Sequence, residues 1–125
     1  MFKINIEKAT LENEDYRRVI YTNTGQQLVL MSIPVGQDIQ LEVHPDVDQF
    51  FRFERGNGEV RVGPSKNNLR KMSVTDGDVV MVNRGMFHQV VNTGAVPLKL
   101  YTIYSPPEHP KNRKDKKRPP TILIL

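Results

Sequence analysis

Short apolar runs recur along the chain roughly every ten residues, and turn-forming residues separate them. Each run is rich in Val, Ile, Phe, Tyr or Leu, and none shows the 3.6-residue period of an amphipathic helix. This spacing predicts an all-β sandwich or barrel. Only the segment 9–17 has a composition that allows a helical turn or two. The predicted strands are FKINI (2–6), RRVIYT (17–22), QLVLMSI (27–33), IQLEVH (39–44), QFFRFE (49–54), GEVRVG (58–63), LRKMSV (69–74), DVVMVN (78–83), FHQVVN (87–92) and PLKLYTIY (97–104).

Three of these strands carry polar side chains of the kind that bind metals. Residues two apart in a strand share a face, so Glu42 and His44 lie on the same side. Gln49 shares its face with two phenylalanines, and His88 shares its face with apolar neighbours. Taken singly, a strand histidine is more often a hydrogen-bonded core residue, and a strand glutamate is more often exposed. Together, one carboxylate, two imidazoles and one amide form a set that a metal site inside a barrel would use.

Composition restricts the class of protein. The chain has 125 residues, 18 Lys and Arg against 14 Asp and Glu, and no Cys. Residues 1–104 hold 12 basic and 12 acidic side chains, so this body is neutral, which argues against a nucleic-acid-binding surface there. The absence of Cys excludes disulfides, thiolate zinc sites and a cysteine nucleophile. The length predicts one domain, and the charged N-terminal segment and the lack of a long apolar run predict a soluble, intracellular protein without a membrane span.

The C-terminal segment differs in kind from the rest of the chain. The stretch SPPEHPKNRKDKKRPP (105–120) has five prolines in 16 residues and carries the excess positive charge. It is predicted to be a Pro-rich basic tail, either extended or disordered. Residues 121–125, TILIL, have a strand-like composition and are predicted as an edge strand that adds to a sheet of this chain or of a partner.

The spacing of glycine, histidine and acidic positions resembles the two sequence motifs of the cupin superfamily. Residues 36–56 match the first motif, in which a glycine, two histidines, a glutamate and a second glycine are separated in turn by five, one, four and six residues. In this chain Glu42 stands at the first histidine position and Gln49 at the glutamate position. Residues 77–92 match the second motif, in which a glycine, a proline, a second glycine, a histidine and an asparagine are separated in turn by five, one, two and three residues. In this chain Asn83 stands in place of the proline. The chain is identified as a small single-domain cupin that is similar to the phosphomannose-isomerase-like group.

This resemblance implies a double-stranded β-helix, or jelly-roll barrel, over residues 1–104, usually as a homodimer. It also implies one divalent transition metal, which would be Fe, Mn, Ni, Co or Zn. Carried across by position, the ligands would be Glu42, His44, Gln49 and His88. Because an amide oxygen is a weak donor, this set should bind a metal less tightly than three imidazoles and a carboxylate.

Several side chains are expected to surround the metal. The expected apolar cavity wall consists of Phe51, Phe53, Met86 and Met31. Arg84 lies in the turn before the His88 strand, where it could contact an anionic substrate, although a solvated loop residue is the simpler interpretation.

Three functions are compatible with the sequence. The first is a metal-dependent isomerase or dioxygenase that acts on a small oxygen-rich metabolite or sugar, with Glu42 as general base. The second is a non-catalytic cupin that binds a small molecule or sugar in the same cavity. The third is an interaction protein whose basic tail contacts phosphates or an acidic partner, with a solvated tail as the simpler interpretation.

Overall fold

Strands make up most of the computed structural model, which describes residues 1–122. Within that range the helix α1 spans Ile6–Glu12, and no helix is long and apolar enough to span a membrane. The strands are β1 (Arg17–Thr22), β2 (Gln27–Ile33), β3 (Asp38–Val43), β4 (Asp48–Arg55), β5 (Asn57–Ser65), β6 (Asn68–Thr75), β7 (Val79–Val82), β8 (Phe87–Asn92), β9 (Leu98–Ser105) and β10 (Lys114–Asp115). They form a six-stranded sheet in the order β10-β1-β2-β9-β4-β7 and a four-stranded sheet in the order β3-β8-β5-β6. All strand pairs are antiparallel, and the predicted all-β jelly-roll fold is confirmed.

The core is built from the inward faces of both sheets. Strand alternation places Phe51 and Phe53 of β4 on one face, and both side chains are fully buried. Burying a phenylalanine contributes about 1.5–3 kcal/mol, so these two rings are major contributors to the stability of the barrel. Gln49 lies on the same inward face and is 3% exposed, as the alternation of its strand predicts.

The N-terminal segment departs from the predicted pattern. FKINI (2–6) is not a strand: residues 1–5 are irregular, and α1 begins at Ile6. The side chain of Asn5 accepts a hydrogen bond from the backbone N–H of Lys8 at 3.1 Å and so caps the helix. The alternating apolar residues suggested a strand, but the cap and the acidic first turn that contains Glu7 favour a helix.

The C-terminal segment contacts the barrel through a two-residue strand and through bends and a turn on either side of it. Its short strand β10 pairs with β1, so that Asp115 lies opposite Arg17. The predicted edge strand 121–125 lies largely outside the described residues, and Thr121 and Ile122 are irregular. The tail is thus attached to the barrel before residue 121.

Candidate metal centre

Strand pairing brings the two sequence motifs together. Glu42 of β3 lies directly opposite His88 of β8, next to an irregularity in the register of β3. His44 follows β3 by one residue, and its carbonyl oxygen accepts a hydrogen bond from the N–H of Gly85 at 2.8 Å. Gly85 has φ +83°, a left-handed conformation that suits glycine and lets the turn before β8 reach the end of β3.

The three side chains converge on one point. Glu42 Oε1 lies 3.3 Å from His44 Nε2 and 3.4 Å from His88 Nε2, and the three candidate ligand atoms all lie within 4.8 Å of one another. Two atoms that are each about 2.1 Å from one ion lie about 3.0–3.4 Å apart at octahedral to tetrahedral angles. The two distances to Glu42 therefore fit a shared cation.

The other ring nitrogen of each histidine has an acceptor nearby. His44 Nδ1 lies 3.1 Å from Oε1 of Glu108, and His88 Nδ1 lies 3.3 Å from the carbonyl oxygen of Met86. An acceptor at Nδ1 holds the proton there and leaves the Nε2 lone pair free for a metal, as in most protein sites of this kind. Both imidazoles are thus oriented so that their Nε2 atoms could bind a metal.

Gln49 contributes a fourth candidate donor from β4. Its Nε2 donates to Thr102 Oγ1 at 3.0 Å, which leaves its carbonyl oxygen as the free end of the side chain. Within residues 1–122, four buried polar atoms of the predicted ligand set have no hydrogen-bond partner: Glu42 Oε1, His44 Nε2, Gln49 Oε1 and His88 Nε2. Buried polar atoms are almost always paired, so four such atoms in four predicted ligands fit a metal ion that would satisfy them together.

The electrostatics of the centre favour a cation. Burial raises the pKa of Glu42, but its contacts with His44 and His88 outweigh burial and hold that pKa well below its usual value. Burial lowers the pKa of His44, whereas Glu42 and Glu108 raise it, and the net direction is upward. The carboxylate of Glu42 is consequently ionised, and its negative charge could attract a divalent ion.

A cavity of about 270 Å³ lies beside Glu42 and His44. The C-terminal tail also lines this cavity and contributes several polar side chains. The polar or charged residues that line the cavity are Tyr16, Arg17, Gln40, Glu42, His44, Glu108, His109, Arg113 and Arg118. The tail residues were missed in the sequence because a Pro-rich basic stretch carries no periodic signal that places it near a site.

A family profile described as "Cupin domain" matches residues 29–104. The chain belongs to the cupin family. Its sequence is 47% identical over 110 residues to the Bacillus subtilis uncharacterized protein YrkC, covering 87% of this chain but 59% of that protein. An uncharacterized protein of Acanthamoeba polyphaga mimivirus is 43% identical over 120 residues, covering 95% of this chain and 74% of that protein. The crystal structure of BH2720 from Bacillus halodurans superposes with a TM-score of 0.91 at 45% identity, covering 92% of this chain and 88% of that one.

The side chains predicted as the cavity wall lie elsewhere in this cupin. Phe51, Phe53 and Met31 are fully buried in the core, and Met86 packs against that core while partly buried. Among the described residues, none of these four lines the cavity. Phe51 instead packs against His88, since the centroids of the two rings lie 6.0 Å apart in an edge-on contact.

Arg84 lies on the exposed surface of the cupin and pairs with Asp48. Its guanidinium donates to the carboxylate at 2.9 Å, and about half of each side chain is exposed. It is not among the residues that line the cavity in the described range. The arginines placed at the cavity are Arg17, Arg113 and Arg118.

Proposed function

We propose that this cupin binds one divalent transition metal through Glu42, His44, His88 and Gln49, and that it acts on a small oxygen-rich metabolite in the adjacent cavity. The observation that carries the proposal is the set of four buried donor atoms that lack hydrogen-bond partners within the described chain. A bound divalent ion would supply a Lewis-acid centre at this end of the cavity. Isomerase and dioxygenase chemistry both fall within the proposal, and the sequence does not choose between them.

Some residues of the chain would bind the metal, and others orient the side chains that bind it. His44 is oriented by Glu108, and His88 is oriented by the carbonyl group of Met86. Glu42 belongs to the donor set and also lines the cavity, and this makes it the candidate general base. His88 packs against the buried core through Phe51, and this core keeps water away from that side of the centre.

A second candidate is a cupin that holds a metabolite without turnover. A general base works best when its pKa lies near the working pH. The pKa of Glu42 lies far below that range because of its two histidine partners, and this favours ligation over proton transfer. In this case ligand binding would stabilise the fold, but no product would form.

The contacts of the tail argue against the third candidate, a basic arm that binds a polyanion. Arg113 and Arg17 both contact Asp115, at 3.0 and 2.9 Å. Lys114 lies 3.7 Å from Asp15, and Arg118 forms a 2.7 Å ion pair with Asp38. Because these cations are paired within the molecule, fewer are available for phosphates than the sequence suggested.

Metal content tests the proposal. Protein purified without chelator is expected to carry close to one equivalent of a transition metal by elemental analysis, whereas His88→Ala and Glu42→Gln lose most of it. The matched control is His109→Asn, which removes a histidine that lines the same cavity but lies outside the donor cluster. Equal metal content in all four proteins would refute the proposed site.

Assays of the metal-loaded protein separate the two leading candidates. Oxygen uptake and isomerisation are measured over a panel of sugars and small hydroxy and oxo compounds. Turnover that disappears in Glu42→Gln supports an enzyme, while saturable binding without turnover supports the non-catalytic cupin. The homodimer implied by the resemblance is a proposal that sedimentation of the same samples tests.

A further inference from the structure

We propose that the cavity binds the single carboxylate of a small hydroxy or oxo acid through the arginines that line it, with Arg118 and Arg113 contributed by the tail and Arg17 by β1. The proposal rests on the metal centre proposed above, because the cavity joins these arginines to Glu42 and His44. It gives the C-terminal tail a role in ligand recognition and identifies the chemical class of the ligand.

The arginines are suited to a carboxylate. Arg113 and Arg118 are partly accessible, with 35% and 20% of their side chains exposed, and each uses its Nε–H on an internal carboxylate. The planar guanidinium has five N–H donors, so each arginine keeps donors for a second acceptor. Arg17 is 6% exposed, and its buried Nε–H has no hydrogen-bond partner in the part of the chain that the structure describes. A buried charged donor without an acceptor is costly, and an anion in the cavity lowers that cost.

The charge balance of the cavity favours one negative charge. Three arginines and two carboxylates line the cavity, and two further carboxylates form ion pairs with those arginines. Together these seven groups carry one net negative charge. The carboxylates are Glu42, Glu108, Asp38 and Asp115. A divalent ion at the donor set reverses the balance to one net positive charge. A monocarboxylate then neutralises the cavity, whereas a phosphate dianion leaves it negative, and uncompensated charge in a poorly solvated site is unfavourable.

The size of the cavity limits the ligand. The cavity has a volume of about 270 Å³. This lies just below the range of pockets that hold drug-sized ligands. A three- or four-carbon acid with one further oxygen fits this volume, and such a molecule can place its carboxylate toward the arginines and its second oxygen toward Glu42 and His44.

Calorimetric titration of the metal-loaded full chain tests the proposal, with lactate as the probe and its neutral amide, lactamide, as the matched ligand. We expect lactate to bind at least tenfold more tightly than lactamide, as the loss of a charged hydrogen-bond partner predicts. Arg118→Gln is expected to weaken lactate binding by about tenfold or more. The control is Lys114→Gln, which removes a neighbouring tail charge that is not among the described residues lining the cavity, and it is expected to change binding by less than about twofold.

The outcomes distinguish this proposal from the proposed metal centre, because metal content is measured on every sample. If metal binds but lactate and lactamide bind equally, or if inorganic phosphate binds more tightly than lactate, the carboxylate site is refuted and the metal centre stands. Equal losses in Arg118→Gln and Lys114→Gln would also refute it. Absence of metal overturns both proposals. Arg113→Gln provides a second test if Arg118→Gln does not fold, and it is expected to weaken lactate binding in the same direction.

Discussion

Gln27 fastens the C-terminal tail to the barrel, and its replacement by leucine tests how strongly that attachment stabilises the protein. The side chain is fully buried at the start of β2. Its Oε1 accepts hydrogen bonds from the backbone N–H groups of Glu108 at 3.2 Å and His109 at 2.9 Å. Its Nε2 donates to the carbonyl oxygen of His109 at 2.7 Å and to Thr22 Oγ1 at 3.0 Å. Three of these four hydrogen bonds therefore hold the turn that carries Glu108.

The magnitude follows from those three hydrogen bonds. Each contributes about 0.5–1.5 kcal/mol net, so Gln27→Leu is expected to lower the free energy of unfolding by about 3 kcal/mol. For a domain of this size the midpoint of thermal unfolding should fall by roughly 10 °C. Because the turn also places Glu108 against His44, loosening it should weaken metal binding by about tenfold, the usual effect of losing a partner of a histidine ligand.

Three measurements on one pair of variants check this reasoning. Urea unfolding gives the stability, mass-spectrometric hydrogen exchange reports the protection of residues 108–116, and metal titration gives the affinity. The control is Gln26→Leu, which changes an exposed amide one residue away and is expected to alter stability by no more than about 0.5 kcal/mol. A loss below about 1 kcal/mol in Gln27→Leu, with exchange in the tail unchanged, would show that these bonds do not secure the segment.

Three further predictions concern pH, packing and backbone strain. Burial lowers the pKa of His109 to about 4, so the unfolded chain takes up a proton below about pH 6.5 that the folded protein does not bind. The contribution of His109 to the free energy of unfolding is therefore fully present above that pH, and it falls toward pH 4 by up to about 1.4 kcal/mol per pH unit. Urea unfolding of His109→Asn should show a flatter dependence of stability on pH. Phe51→Ala should cost about 3–5 kcal/mol, because the fully buried ring leaves a cavity beside His88; a loss under about 1 kcal/mol in urea unfolding would contradict this packing. Gly85→Ala should cost about 1–2 kcal/mol from its φ of +83° alone, since an added Cβ meets no atom of residues 1–122 within 4 Å, and calorimetric unfolding should show Gly85→Asn to be less costly.

Local physics explains why so much of the barrel could be predicted from the sequence. Nine of the ten predicted strands, from RRVIYT to PLKLYTIY, match strands of the structure to within one or two residues. The period of two is a property of neighbouring residues, so it places Gln49 inward without knowledge of the fold. The spacing of the two motifs likewise identified Glu42, His44 and His88, which the structure brings together. The error at residues 2–6 arose because a helix cap at Asn5 competes with an alternating apolar pattern.

Strand periodicity and motif spacing are properties of short stretches of chain, so they were enough to predict the β-architecture and the candidate ligands. The position of the tail could not be predicted in this way, because its hydrogen bonds and ion pairs join residues far apart in sequence. Arg118 meets Asp38 across 80 positions, and Arg17 meets Asp115 across 98. Local composition contains no record of such pairings, since they depend on where the sheets bring distant groups together. The excess positive charge of residues 105–125 suggested a solvated arm, and the fold instead places part of it at the cavity beside the proposed metal centre.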